Sequence, residues 1–411
     1  MNPKISPEEH CQRLKDLQRK VKERELDMFI VTSFESIFYL TGAVFEPLER
    51  PFFLLVEADG PPMLLVPKLD QEHMAKAHGV EKSNIITYRE YPATMASSWP
   101  SRLKEAMPGR GQIGVEPTVR REITDQLEDF SLRTEPLVEK LRLIKSPAEV
   151  EMIKRAASYA DLGVKHLLSA SYFGAMVAEG FAETRTVSTK IIREVKNWDP
   201  LTTKVLMATW AAPYSAMPHS VPALDHRLER GPHVALVLTR VNGYAAESER
   251  TYFTAPVSNE VQTAFAAMSE ARRLAFDMIK PGLACSELDA TVNAFLSKEG
   301  FLGEDQRLHR TGHGIGLGTH EAPWLAEGSE DRLSENMVIS VEPGIYLKGV
   351  GGIRHSDTVL VTKDGHKRLT HFPEGLDSLV LQGWNPTARL KGLLVRQRLG
   401  LTGRRSVEAC Q

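Results

Sequence analysis

The spacing of apolar and polar positions changes character along the amino-terminal part of the chain. Residues Pro7 to Val21 carry apolar side chains at helical spacing and predict an amphipathic helix. The short apolar run Met28–Val31 is typical of a buried strand. Further strands are predicted at Phe38–Gly42, Phe52–Val56 and Met63–Val66. A helix, several strands and later helices together indicate a compact α/β domain.

A helix-start signal marks the end of this first domain. Ser146 is a suitable N-cap, Pro147 suits the first helical position, and Glu149 completes a capping box. A long helix is therefore predicted to begin there. We place the domain limits at 1–140, 141–380 and 381–411. The last segment is a basic tail whose role the sequence leaves open.

The middle segment contains two similar halves, each built from helices followed by a hairpin. The first hairpin spans Val234–Phe253 and the second spans Val338–Thr362. Helices and antiparallel hairpins in one domain indicate the α+β class.

Composition and charge narrow the function classes. The chain has 411 residues, of which 42% are hydrophobic, so it can bury a large core. With 51 basic and 53 acidic residues, it offers no electrostatic case for nucleic acid or a membrane surface as partner. The three cysteines are far apart, and no apolar run has the length of a membrane span. We expect a cytoplasmic protein that acts on a small molecule.

Three motifs in the second half carry the chemistry. They are His309–Pro323, with its Gly-His-Gly-x-Gly pattern, Ser340–Gly344 and Gly352–Asp357. Their order resembles the pita-bread family of methionine aminopeptidases, proline dipeptidases and creatinase. The resemblance implies a pita-bread catalytic domain of two pseudo-symmetric halves, preceded by a smaller creatinase-type α/β domain.

The same resemblance implies a centre of two divalent ions on Asp, Asp, His, Glu and Glu. Aligning this chain on Arg-Thr at the end of the first hairpin places Leu236 and Glu247 at the two aspartates. His313 and Glu342 match the histidine and the first glutamate, and Ser356 stands at the second glutamate. A leucine cannot bind a metal, and a serine brings no charge. We therefore expect no metal cofactor, with a single divalent ion on Glu247, His313 and Glu342 as the alternative.

Creatinase is the member of this family that works without metal, and several of its site residues have counterparts here. The resemblance implies that His219 is the acid/base and that Glu249 faces the cationic group of the substrate. His313 and Glu342 are expected to remain as catalytic polar residues rather than metal ligands, and Glu247 is expected to bind substrate. Arg50 matches an arginine that reaches the site of a neighbouring subunit, which implies a homodimer.

Two further residues complete the predicted site, and each also has a purely structural explanation. His320 is expected to be catalytic or to form hydrogen bonds within the cavity. Arg354 is expected to bind substrate or to support neighbouring strands. For Glu249, the structural alternative is a solvated carboxylate paired with Arg250. His355 is expected to point away from the site, because adjacent strand residues face opposite sides.

From these residues we predict a creatinase-like hydrolase or lyase that cleaves a C–N bond in a small nitrogenous substrate without metal. One alternative is a single-metal hydrolase of the proline-dipeptidase or aminopeptidase kind. The other is a catalytically silent homologue used for binding.

Overall fold

The computed structural model describes residues 3–401 except 47, 91, 110, 302, 382 and 384. It divides into two compact units, Pro3–Leu143 and a larger one that begins at Ile144. Within the described part of the chain, no helix combines the length and the apolar character that a membrane crossing requires. The part of the predicted basic tail from position 402 to 411 lies outside the described residues.

The first unit is a twisted sheet flanked by helices. Its strands are β1 (Met28–Val31), β2 (Phe53–Glu57), β3 (Met63–Pro67), β4 (Ile85–Tyr88), β5 (Gln112–Val115) and β6 (Ser131–Thr134). They lie in the order β4-β3-β2-β1-β5-β6. Its helices are α1 (Pro7–Glu23), α2 (Phe34–Thr41), α3 (Gln71–Met74), α4 (Trp99–Ala106), α5 (Arg121–Thr124) and α6 (Leu137–Leu143). The predicted helix at Pro7 and the strands at Met28, Phe52 and Met63 are confirmed to within two residues.

The strand predicted at Phe38–Gly42 is wrong, because this segment is the end of helix α2. Ser33 accepts a hydrogen bond from the Ser36 amide at the start of α2. Gly42 ends it with a φ of 69°, a left-handed conformation that glycine adopts without strain. A short apolar run does not by itself distinguish a buried helix from a strand.

The second unit begins with a long helix and contains most of the remaining secondary structure. Its helices are α7 (Pro147–Ser169), α8 (Val177–Phe181), α9 (Thr184–Glu194), α10 (Asn259–Met278), α11 (Cys285–Lys298), α12 (Leu376–Leu379) and α13 (Pro386–Arg398). The predicted capping box is confirmed at the start of α7. There Ser146 accepts from the Glu149 amide, and the Glu149 carboxylate accepts from the Ser146 amide.

A large sheet forms the centre of the second unit. Its strands are β7 (Lys204–Trp210), β8 (His233–Val241), β9 (Tyr244–Tyr252), β10 (Gly312–Gly314), β11 (Glu321–Leu325), β12 (Val338–Val341), β15 (Ser356–Thr362) and β16 (Gly365–Arg368). The order is β11-β10-β12-β15-β9-β8-β7, with β16 paired to β15. Strands β13 (Gly344–Leu347) and β14 (Gly351–Arg354) form a separate pair. This mixture of helices and antiparallel strands confirms the predicted α+β class.

Helix α7 covers one face of this sheet and thereby decides which side chains reach the other. Thr239 of β8 donates to the Ala156 carbonyl of α7, and Ser248 of β9 donates to Asp161 of the same helix. Because side chains alternate along a strand, Glu247 and the other odd-numbered residues of β9 point to the opposite face. That opposite face, termed the site face below, carries the predicted ligands.

Candidate active site

The register of the sheet brings residues from distant parts of the sequence together on the site face. Glu249 of β9 lies opposite Leu236 of β8 on one side and Ser356 of β15 on the other. Further along the sheet, His313 of β10 lies opposite Ser340 of β12. The segments that the sequence motifs singled out are therefore neighbouring strands.

His313 is the centre of the site, and its two ring nitrogens have different roles. Nδ1 lies 3.0 Å from the Gly314 carbonyl, which can only accept, so Nδ1 carries a proton. Nε2 is buried without a hydrogen-bond partner and faces Glu342 Oε1 at 3.3 Å and Glu247 Oε1 at 3.7 Å. Burial opposes protonation of this ring, but the two carboxylates outweigh it and raise the pKa of His313 to about 9. A positive charge at Nε2, either a proton or a cation, satisfies this geometry.

Glu247 is held by two serine hydroxyls. Ser356 Oγ donates to Glu247 Oε1 at 2.7 Å, and Ser340 Oγ donates to the same oxygen. The two hydroxyl oxygens are 2.8 Å apart. Ser356 therefore lies at the position where the resemblance implies a glutamate, and its hydroxyl contacts a predicted ligand instead of replacing it.

Glu249 and Arg354 form a buried ion pair. Arg354 Nη2 donates to Glu249 Oε1 at 3.1 Å, and Arg354 Nε donates to Oε2. Arg354 also donates to the Tyr346 hydroxyl at 3.1 Å. The ion pair expected between Glu249 and Arg250 is not present. Arg250 donates to the backbone carbonyl of Glu249, whereas the Glu249 carboxylate is paired with Arg354. The Glu249 carboxylate is already paired with Arg354, so a cationic substrate group would have to compete with this arginine. The predicted role of Glu249 in substrate binding remains a prediction.

His320 lies beside His313, with ring centroids 4.0 Å apart. Glu247, His313 and His320 can each offer one ligand atom within 4.8 Å of the others. This compact group differs in its third member from the predicted set, which had Glu342. His320 is the exposed member of this group. Partial burial of its ring and the neighbouring His313 lower the pKa of His320 to about 4, so the ring is neutral and has a lone pair available at neutral pH.

His309 is a site residue that the sequence analysis did not assign. Its Nδ1 donates to the Arg310 carbonyl at 2.8 Å, so Nε2 accepts from the Tyr346 hydroxyl at 2.7 Å. The tyrosine thus connects His309 to Arg354. The available signal was the position of His309 four residues before His313, at the start of the same motif.

The two predicted residues outside the main motifs have different surroundings. His219 is exposed on the loop after β7. Burial is the main cause of the lowered pKa of both His309 and His320, and His219 adds a smaller electrostatic contribution to each, so it lies within electrostatic range of these two residues. Arg50 belongs to the first unit, where its guanidinium donates to Glu90 at 2.7 Å. Its predicted role at the site of a neighbouring subunit remains a prediction.

His355 is confirmed to point away from the site. Its ring is buried edge-on against Phe265 of α10, at a centroid distance of 5.2 Å. Leu236 lies half-buried on the site face and provides no ligand atom.

The donor set suits one divalent ion better than two. The ion pairs around His313 and Arg354 form one contact network. It contains three carboxylates and one guanidinium, those of Glu247, Glu249, Glu342 and Arg354. A protonated His313 leaves one of these negative charges unbalanced. When the His313 imidazole is neutral, the form that can bind a metal, two remain, which is the charge of one divalent cation. The unpartnered Nε2 of His313 is the nitrogen donor such an ion requires. Leu236 and Ser356 add no further anionic ligand.

Both units match described protein families. Residues 151–363 match "Metallopeptidase family M24", and residues 13–144 match "Creatinase/Prolidase N-terminal domain". The first of these matches covers more than half of the chain. The predicted pita-bread catalytic domain with a creatinase-type domain before it is thereby confirmed.

Relatives and solved structures agree with these matches. The chain is 28% identical to an Xaa-Pro dipeptidase of Pyrococcus furiosus over 367 residues, covering 87% of this chain and 97% of the relative. A Pyrococcus horikoshii Xaa-Pro dipeptidase is 29% identical over 368 residues, with the same coverage of 87% and 97%. The structure of an Xaa-Pro dipeptidase from Bacillus anthracis has a TM-score of 0.73 and 27% identity, and covers 92% of this chain and 100% of its own. The fold of the P. horikoshii prolidase agrees at a TM-score of 0.75 and 24% identity, covering 89% of this chain and 99% of its own.

These findings overturn the prediction of a metal-independent, creatinase-like reaction. The catalytic unit matches a family of metallopeptidases, and the relatives are Xaa-Pro dipeptidases. Leu236 and Ser356 provide no anionic ligand, but Glu247, His313 and His320 can still offer ligand atoms to one ion. The expectation that the protein needs no metal cofactor is therefore not supported either. The chain belongs to metallopeptidase family M24.

Proposed function

We propose that this protein is a metal-dependent hydrolase of the proline-dipeptidase type, acting on the peptide bond of small dipeptide-like substrates. The observation that carries the proposal is the buried Nε2 of His313, which faces two carboxylates and has no hydrogen-bond partner. The likeness to Xaa-Pro dipeptidases over most of both chains supports the substrate class.

Glu247, His313 and His320 would hold the ion, with Glu342 beside His313 as a further ligand. When bound, a divalent ion polarises a carbonyl oxygen and lowers the pKa of a bound water. The Nδ1 proton of His313 is fixed by the Gly314 carbonyl, which keeps the lone pair of Nε2 directed into the site.

The surrounding residues position these groups and exclude competing interactions. Arg354 binds Glu249 on both oxygens and lies 3.9 Å from Glu342, so it limits the repulsion between the carboxylates. Tyr346 links Arg354 to His309 and restrains the guanidinium. His219 is exposed on the loop after β7, and its imidazole would exchange protons with the leaving amine.

The test is hydrolysis of a panel of Xaa-Pro dipeptides, with Gly-Leu and Ala-Ala for comparison. Wild-type protein is stripped with a chelator and then supplied with Mn²⁺, Co²⁺ or Zn²⁺. We expect activity to disappear on chelation and to return with one of the ions. His313→Ala should lower kcat/KM on the order of 1,000-fold, because a metal supplies several kcal/mol of transition-state stabilisation.

The matched control is His366→Ala, on strand β16, where the ring stacks on Phe276 at 5.4 Å. This variant should retain wild-type activity. Full activity after chelation, or a metal-loaded protein that cleaves none of the dipeptides, would overturn the proposal.

A further inference from the structure

The Ser340 and Ser356 hydroxyls form a pair whose contacts are directed at one carboxylate oxygen. Both oxygens lie within hydrogen-bond distance of Glu247 Oε1 and of each other. Both side chains are completely buried, so water does not replace these contacts. The two hydroxyl protons therefore partly neutralise Glu247 from the side that faces β12 and β15.

The side of Glu249 that faces β8 is closed to a cation in a different way. Leu236 lies directly opposite Glu249 and places an apolar side chain beside it. Glu249 itself is bound on both oxygens by Arg354. A cation placed there would meet a guanidinium and a hydrocarbon side chain, and neither is a ligand.

We propose that this centre takes one divalent ion, and that Ser340, Ser356 and Leu236 occupy the space in which a second ion would need ligands. The serine pair positions Glu247 for the single ion and supplies, through hydroxyl protons, the neutralisation that a second cation would give. The inference rests on the proposed function for the presence of an ion, but it concerns the number of ions and the residues that set it. The contact network supports it, because three carboxylates meet one guanidinium, and one divalent ion bound to a neutral His313 imidazole balances the difference.

The experiment is equilibrium dialysis of metal-stripped protein against Mn²⁺ alone, with metal analysis and electron paramagnetic resonance of the bound ion. Wild-type protein should bind one equivalent and give the spectrum of an isolated ion. The double variant L236D/S356E adds two carboxylates on the site face and should bind a second equivalent, with a spectrum showing coupling between neighbouring ions. The matched control L236N/S356Q has the same side-chain sizes without the charges and should bind no more than one.

A single change tests the positioning role and does not depend on the folding of the double variants. Ser356→Ala removes one of the donors to Glu247 and should weaken Mn²⁺ binding roughly 10-fold to 100-fold, as loss of a group that orients a ligand does. The stoichiometry should stay at one, and Ser356→Thr, which retains the hydroxyl, should restore the affinity. A merely structural role would leave the Mn²⁺ affinity of Ser356→Ala unchanged at equal thermal stability, and that result would overturn the positioning role.

The outcomes separate this inference from the proposed function. Two equivalents on wild-type protein, or one equivalent on a folded L236D/S356E variant, would overturn the inference even if dipeptides are cleaved. One equivalent on wild-type protein and two on the variant would support it even if no dipeptide is cleaved, a result that would reject only the proposed substrate.

Discussion

The two faces of the central sheet use buried charge in different ways. On the face covered by helix α7, Asp357 accepts from Arg250 at 3.0 Å, from Thr370 at 2.7 Å, and from Arg272. On the site face, one position earlier in the chain, Ser356 donates to Glu247, which belongs to a group of carboxylates that outnumber the guanidiniums they contact. Paired charges stabilise the fold on the first face, whereas the unbalanced charges on the second leave room for a cation.

The same contrast holds for histidines. His233 lies on the α7 face, where the Ala212 amide donates to its Nδ1 at 3.0 Å, so the ring is held neutral. Burial lowers its pKa to about 4. His313, on the site face, has its pKa raised to about 9 by the carboxylates, against the effect of burial. Equal burial thus gives opposite shifts of pKa, and the difference lies in the groups that face the ring.

The largest effect should come from breaking a charge pair on the α7 face. Asp357→Asn leaves the guanidiniums of Arg250 and Arg272 without their buried anion. The free energy of unfolding should fall by about 3–5 kcal/mol, while Mn²⁺ stoichiometry remains that of the wild type. Urea denaturation measures the first quantity and equilibrium dialysis the second. Asp364→Asn, at an exposed turn, should change stability by less than about 0.5 kcal/mol. A change in ion stoichiometry in Asp357→Asn would show that the two faces are not independent.

A smaller loss of stability is expected when the pH is lowered and His233 on the α7 face becomes protonated. The pKa of His233 is about 4 in the folded protein, below the ordinary value of 6.5, so the unfolded state binds its proton first. The neutral His233 ring contributes about 3 kcal/mol to the free energy of unfolding. This contribution is fully present above pH 6.5 and is lost as the pH falls towards 4. Comparing the free energy of unfolding of wild type and His233→Gln across this pH range measures it. Identical pH dependence in the two proteins would contradict the assignment.

The smallest of these effects is expected from replacing His219, which is exposed on the loop after β7. His219→Ala should lower turnover roughly 100-fold, the lower end of what a positioned acid/base group contributes, with little change in ion binding. His226→Ala is the matched control, because His226 lies further along the same loop and stacks on Tyr214 at 4.0 Å. A variant at His219 that keeps most of its turnover would remove this residue from the proton-transfer role.

Local sequence patterns were sufficient for much of the fold and for locating the segments that form the candidate site. The capping box at Ser146 and the hairpin at Val234–Phe253 follow from neighbouring residues, and both are present. The motifs also singled out Glu247, His313 and Glu342. Helix α2 was mistaken for a strand because its few apolar residues fit either structure.

The partners of the site residues could not be predicted, because they depend on long-range strand pairing. Glu249 and Arg354 are 105 positions apart, and Ser340 and Glu247 are 93 apart. No local spacing reveals that Glu249 is already paired or that two serines converge on Glu247. Without those contacts, the loss of ligands at Leu236 and Ser356 suggested a site without metal.

We propose that the unbalanced carboxylates of the site face hold a divalent ion beside His313. The most direct measurement is an anomalous difference map at the zinc absorption edge, from crystals grown with Zn²⁺. We predict a peak at about 2.0–2.1 Å from His313 Nε2 and within bonding distance of a Glu247 oxygen. A map without a peak at His313, from crystals of protein that cleaves Xaa-Pro dipeptides, would contradict the claim.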